Sequence, residues 1–165
     1  MSEKPAKPTA ASRVTLTQLM VPHHANALGH VHGGVIMRMV DETAAIAAMR
    51  HAQRPCVTVA MDSMTFREPV EVGELLSCTA VVNYVGRTSI DVGVRVSAEN
   101  PITGEITHTN SAYLLFVALG DDDRPCPVPG LILTTDEDRR RFEEGRERQR
   151  YRLEQRERSR KHEGG

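Results

Sequence analysis

The densest chemical information in this 165-residue chain lies in one stretch, Asn26-Ala-Leu-Gly29-His30-Val-His32-Gly33-Gly34, followed by Asp41. Gly33-Gly34 opens a segment that has no further Gly or Pro up to residue 52 and reads as a helix. The first N–H groups of a helix have no intrahelical acceptor, and two glycines leave them uncovered. With the helix dipole behind them they suit a developing negative charge, such as the oxygen of an attacked carbonyl. Asp41 sits on an otherwise apolar helix, where an unpaired charge is costly. A carboxylate held there is a candidate general base or nucleophile. The plainer reading is a glycine helix entry with Asp41 paired to Arg38 or Arg50. Composition alone leaves both open.

Other reactive residue types carry less. His23, His24, His30 and His32 fall within ten residues, but their spacing matches no metal-ligand pattern and no carboxylate lies among them, so a metal is not expected. Asp62 reads as an edge or interface polar residue. Ser63 and Thr65 are candidates to line a substrate cleft. No Ser stands in a G-x-S-x-G elbow, which leaves serine hydrolysis without support. Cys56, Cys78 and Cys126 form no C-x-x-C pair and read as small buried residues in a reduced compartment. Arg87 occupies the turn Gly86-Arg87-Thr88-Ser89, where a guanidinium can meet a phosphate or simply face water.

The elements that must position these residues follow from the period of the apolar pattern. Residues 1–12 show no periodicity and are expected to be a disordered tail. A first strand runs over residues 14–20, and a loop punctuated by Pro22, Asn26 and Gly29 fills residues 21–32. The helix over residues 33–52 is apolar nearly all round, the mark of a buried helix. After Pro55 the period becomes two. Residues 57–66, 75–86, 88–99 and 106–119 are four runs rich in β-branched side chains. One strand, one long helix and four successive strands predict an α+β fold, an antiparallel sheet wrapped around that helix. Residues 13–133 form this domain. Residues 134–165 are a charged C-terminal helix, opened by Thr135 and Asp138 in capping-box spacing and supported by pairs such as Glu137/Arg141 and Glu144/Arg148. With only Phe142, Tyr151 and Leu153 as large apolar residues, this helix is expected to be solvated, although it could also lie over a ligand phosphate or a neighbouring subunit.

Charge and composition exclude several classes. The chain has 21 basic and 22 acidic residues. Residues 134–165 hold 11 and 9 of them, which leaves the body mildly acidic. Nothing here supplies the uncompensated positive charge that nucleic-acid binding needs. No apolar run approaches the roughly 20 residues of a membrane span. The first residues lack the apolar core of a secretory signal, and a cytoplasmic location is the expectation.

The spacing Asn26-x-x-Gly29-x-x-x-Gly33-Gly34-x-x-Met37-x-x-x-Asp41-x-x-Ala44 resembles the signature of hotdog-fold acyl-CoA thioesterases, the cytosolic acyl-CoA hydrolase group. Residues 57–66 with Pro69-Val70 and Gly73-Glu74 are similar to the second-strand segment of that group, and Gly86–Ser89 to the turn that follows. The likeness runs from about residue 13 to residue 130. It implies hydrolysis of an acyl-CoA thioester to free acid and coenzyme A, with no cofactor beyond the coenzyme A of the substrate. It also implies Asp41 as base or nucleophile, Asn26 positioning water or the substrate carbonyl, and the Gly33 or Gly34 N–H polarising the thioester oxygen. Arg87, Thr88, Ser89 and Ser63 are the residues expected to bind substrate. Homodimers are implied, assembled in some cases into a trimer of dimers. His32 departs from the family pattern, which often has a bulky apolar residue there. Two alternatives stand beside this reading: a hotdog hydratase or dehydratase using His30 or His32, and a non-catalytic acyl-CoA sensor.

Overall fold

The computed structural model describes residues 4–163, with side chains as far as Lys161. In chain order it comprises β1 (Lys7–Pro8), a 3-10 turn (Thr9–Ser12), β2 (Val14–Leu19), a second 3-10 turn (Pro22–His24), α1 (Gly33–Ala52), β3 (Cys56–Met61), β4 (Leu75–Val85), β5 (Ser89–Glu99), β6 (Ile106–Ala118), β7 (Leu131–Ile132) and α2 (Asp136–Glu163). Five strands form one antiparallel sheet in the order β2-β4-β5-β6-β3, curled around α1. The expected α+β hotdog architecture is what the chain adopts. No described helix is long and apolar enough to cross a membrane.

The alternation of side chains along each strand sets the two faces of the sheet. On β5, Ile90, Val92, Val94 and Val96 are buried against the helix, while Ser89, Asp91, Gly93 and Arg95 face outward. Opposed residues of paired strands share a face, so Phe116 and Ala80 join the inner set and Tyr113 and Thr79 the outer. On α1, Val40, Ala44, Ala47 and Ala48 are fully buried. Their small side chains let the sheet wrap closely on the helix. The opposite face of α1 is not covered, however, and Met37 and Met49 are about two-fifths exposed. Val57 and Val59 on β3 are also exposed. β3 is an edge strand, bonded on one side to β6.

Three expectations from the sequence need correction. Residues 7–12 are not a disordered tail. β1 pairs in parallel with β7, Thr9 and Ser12 are buried, and the Lys4 and Lys7 ammonium groups cap carbonyls at the end of α1. These are local bonds to sequence-distant partners, which a composition reading does not register; residues 1–3 lie outside the described residues. The strand expected over residues 57–66 ends at Met61, after a bulge between Thr58 and Ala60. Finally, α2 is not simply solvated. Arg148 does not pair with Glu144, which bonds Arg140 instead, but turns inward to Asp91 at 2.8 Å, with its guanidinium 3.8 Å from the centre of the Tyr113 ring. Asp91 is fully buried and also accepts from Arg152 at 2.8 Å. A Cβ on Gly145 would come within 2.6 Å of Tyr84 Cβ, so only glycine lets α2 approach β4 this closely. The Phe142 ring meets Tyr84 at 5.0 Å.

The expected capping box is present: Thr135 Oγ1 accepts from the Asp138 N–H at 3.0 Å and Asp138 Oδ2 accepts from the Thr135 N–H at 3.2 Å. Asp138 also accepts from Thr9 and from Thr134. Burial alone would raise its carboxyl, but these hydrogen bonds outweigh burial and hold it at about 2.

Candidate active site

The loop before α1 is shaped by its polar side chains. Asn26 Oδ1 accepts from the N–H groups of Leu28 at 2.9 Å and His30 at 3.2 Å, and the Asn26 N–H donates to the His30 carbonyl at 2.7 Å. The acceptor end of the Asn26 amide is thus committed to the backbone. Its Nδ2 is left as a donor. The clustered histidines have structural partners: His24 Nδ1 accepts from the Val21 N–H, His30 Nδ1 lies 2.8 Å from Glu71 Oε1, and His32 Nδ1 accepts from the Gly34 N–H at 3.0 Å. A carboxylate does therefore reach the cluster, but from Glu71, forty-one residues along the chain from His30. No group of three or more potential metal ligands occurs among the described residues.

The bond from Gly34 to His32 separates two glycines that the sequence left equivalent. Gly34 donates its N–H to the His32 side chain that caps the helix. The Gly33 N–H has no acceptor among the described residues. The Phe66 ring packs on Gly33, with Cζ 3.4 Å from where a Cβ would stand, so a side chain at residue 33 would press on that ring.

Two turns along the same helix, Asp41 is half-buried and pairs with neither Arg38 nor Arg50. Arg38 bonds Glu42, and Arg50 bonds the Arg13 carbonyl. Asp41 Oδ1 instead accepts from Thr58 Oγ1 at 2.8 Å. Thr58 is a partner of Asp41 that the sequence does not single out, since Ser63 and Thr65 are the hydroxyls it offers as candidates. The signal available was a single hydroxyl between two valines, at an inward position of the strand. From Gly33 to Asp41 is eight residues, or about 12 Å along a helix that rises ~1.5 Å per residue.

The expected substrate-binding residues are not all gathered around Asp41. Ser63 is exposed in the loop after β3. The register aligns Thr58, Phe116 and Ile90 in one inward row and Val57, Val117 and Ser89 in the adjacent outward row. Ser89 therefore points to the opposite face of the sheet from Asp41. Arg87 is exposed at the tip of the β4–β5 turn and has no ion-pair partner among the described residues; its carbonyl, and that of Thr88, accept from Val128 and Ala118. A cleft of about 490 Å³ lies on the outer face beneath α2, lined by Asn83, Arg95 and Tyr113, and is separated from Asp41 by the sheet. The cysteines offer no alternative nucleophile. Burial pushes the Cys78 thiol up to about 12 and the Cys56 thiol up to about 11, far from thiolate formation at neutral pH.

Comparison with known proteins decides the family. Residues 28–105 match the model described as Thioesterase superfamily. Protein VdlD of Helicobacter pylori is 37% identical over 93% of this chain and 87% of its own length. A crystal structure of an apo-hexameric acyl-CoA thioesterase superposes with a TM-score of 0.86 at 36% identity, covering 91% of this chain and 97% of that one. The chain belongs to the hotdog-fold acyl-CoA thioesterases. It is an enzyme of the thioester hydrolase class. A further thioesterase relative, the acyl-CoA hydrolase of Staphylococcus aureus solved with butyryl coenzyme A, coenzyme A and coenzyme A disulfide, is 29% identical over 98% of this chain and 100% of its own, with a TM-score of 0.86. Alanine variants of that hydrolase at an asparagine, an aspartate and a threonine have been solved, at positions separated by 15 and 17 residues. Asn26, Asp41 and Thr58 stand at the same separations here.

Proposed function

We propose that this thioesterase hydrolyses acyl-CoA to a carboxylic acid and coenzyme A in an active site completed by a second copy of the chain. The supporting observation is the separation of Gly33 from Asp41 on one unbroken helix. A base must come within about 3 Å of its target, directly or through one water. A thioester carbonyl held at the Gly33 N–H lies beyond the reach of Asp41 in the same chain. Asp41 stands beside the open edge strand β3, bonded to Thr58, with exposed Met37 one turn before it on α1. Apposing two β3 edges in a homodimer carries the Asp41 of one copy toward the Gly33 of the other and covers the apolar edge. Such dimers, grouped in threes, would form a hexamer.

Within this site Asp41 takes a proton from water as the water oxygen bonds the thioester carbon. The carbonyl oxygen gains negative charge, which the Gly33 N–H and Asn26 Nδ2 stabilise as donors. The C–S bond then breaks, the carboxylic acid forms, and the proton held by Asp41 passes to the departing sulfur. Thr58 fixes the Asp41 carboxylate throughout. Direct attack by Asp41, through an anhydride that water then opens, uses the same groups. Arg87 contacts the phosphates of coenzyme A.

Free-thiol release from a panel of acyl-CoAs, acetyl to palmitoyl, tests this reading. Release from at least one member is expected. Silence across the panel would overturn it and favour a binding-only sensor, and hydration of an enoyl-CoA would favour the hydratase.

A further inference from the structure

The C-terminal helix and the glycine that receives the substrate carbonyl are joined by a short physical path. Asp62 is the residue directly after β3, and its N–H donates to the Tyr113 carbonyl at 2.9 Å, which pins its backbone to β6. Its carboxylate accepts from Arg152 of α2 at two points, Nε at 3.2 Å and Nη2 at 2.8 Å. The remaining arm of Arg152, Nη1, donates to the buried Asp91. Arg152 is thus held at both ends of its guanidinium and is mostly buried, so its position is fixed by the sheet rather than by solvent.

Beyond Asp62 the chain runs to Val70 through residues 63–69, which form no hydrogen bond or ion pair among the described residues. At the far end the Val70 carbonyl accepts from the Val31 N–H at 2.8 Å. Between those two anchors one side chain touches the site: Phe66, whose ring lies on Gly33. Between its ends the loop is held only by Met64, which is half-buried against the core, so its path is set by Met64 and the anchors, and the Asp62 anchor stands four residues from Phe66.

We infer that Arg152 is a positioning residue for the hydrolysis proposed above: through Asp62 it sets the loop that seats Phe66 against Gly33, whose N–H receives the substrate oxygen. Phe66, 43% exposed, screens Gly33 on one side, and a hydrogen bond to the substrate oxygen is stronger where water is held back. Arg148 serves as the internal control. It ties the same helix to Asp91 and stacks on Tyr113, and forms no hydrogen bond or ion pair with Asp62 or the loop among the described residues.

The test compares Asp62→Asn and Arg152→Gln with Arg148→Ala in the full-length protein. Asp62→Asn and Arg152→Gln should each lower kcat about tenfold with KM within twofold, the pattern of an interaction made in the transition state. Arg148→Ala should lower Tm and leave kcat per folded protein within twofold. Phe66→Ala should show the same kcat loss, and Asp62→Asn added to it should cost no more. A second readout needs no activity. The chain has no tryptophan, so Phe66→Trp places a single reporter on Gly33. Its emission should shift to the red, with stronger iodide quenching, when Arg152→Gln is added, and should not move with Arg148→Ala. Unchanged kcat in Asp62→Asn, equal kcat losses in Arg148→Ala and Arg152→Gln, or a reporter blind to Arg152→Gln would each overturn the inference. Were the parent enzyme silent on every acyl-CoA, the hydrolysis reading would fall and the reporter alone would decide the tether.

Discussion

In the proposed mechanism Asn26, Gly33, Asp41 and Thr58 divide the labour of the site according to what their neighbours leave free. Asn26 has given its oxygen to two backbone donors, so it can act only through Nδ2. Gly34 has given its N–H to His32, so Gly33 is the donor that remains. Asp41 keeps one oxygen after Thr58 has taken the other. Replacing Asp41 by Asn removes the group that takes the proton while keeping the shape, and kcat should fall by about 10²–10⁴, the range for a lost general base. Thr58→Val should fall less, about tenfold, because it loosens the base without deleting it. Steady-state thiol release measures both, and an Asp41→Asn enzyme within threefold of the parent would remove Asp41 from the chemistry. Arg87→Ala should raise KM for acyl-CoA with kcat nearly unchanged, since a phosphate contact far from the thioester binds ground and transition states alike. Unchanged KM and unchanged salt dependence would leave Arg87 as a turn residue facing water.

The elements behave differently in how far they can be read from the chain. The helix over residues 33–52 and the strands of the sheet were legible because their burial imposes a period, and the capping box was legible because its partners are three residues apart. The seating of α2 was not. Its partners Asp62 and Asp91 lie 90 and 57 to 61 residues away, and an arginine facing a buried carboxylate is spelled like one facing water. The same limit hid Thr58, since its link to Asp41 spans 17 residues between two elements. Two predictions follow from α2. Asp91→Ala removes the buried counter-charge that Arg148 and Arg152 share, leaving Arg152 with Asp62 and Arg148 with no carboxylate, and should cost about 3–5 kcal/mol in denaturant unfolding. A cost below 1 kcal/mol would mean that α2 is held by its other contacts, Arg152 on Asp62, Asp138 on Thr9 and Phe142 on Tyr84. The Asp138 carboxyl, held at about 2 when folded, binds protons more weakly than in the unfolded chain. Its stabilisation is full above the ordinary carboxylate range and fades as pH falls toward 2. Asp138→Asn should therefore flatten the acid limb of stability against pH. If parent and variant lose stability in parallel between pH 4.5 and 2, going by the ordinary carboxyl range of about 4, this carboxylate is not the linked group.

At the scale of the whole molecule, the proposed mechanism has one chain hold every group the reaction needs without bringing them together. The helix that carries the Gly33 donor also carries Asp41 away from it, and the face of α1 that would close the site is open beside the exposed edge of β3. The measurement that tests this most directly is complementation between two dead variants. Asp41→Ala and Asn26→Ala are each expected to be nearly inactive as homodimers. Unfolded together in equal amounts and refolded, half of the dimers are mixed, and each mixed dimer holds one site with Asn26 from one chain and Asp41 from the other. The mixture should recover about a quarter of the parent activity. A mixture as inactive as its parents, with mixed dimers shown to be present by mass spectrometry, would contradict the shared site.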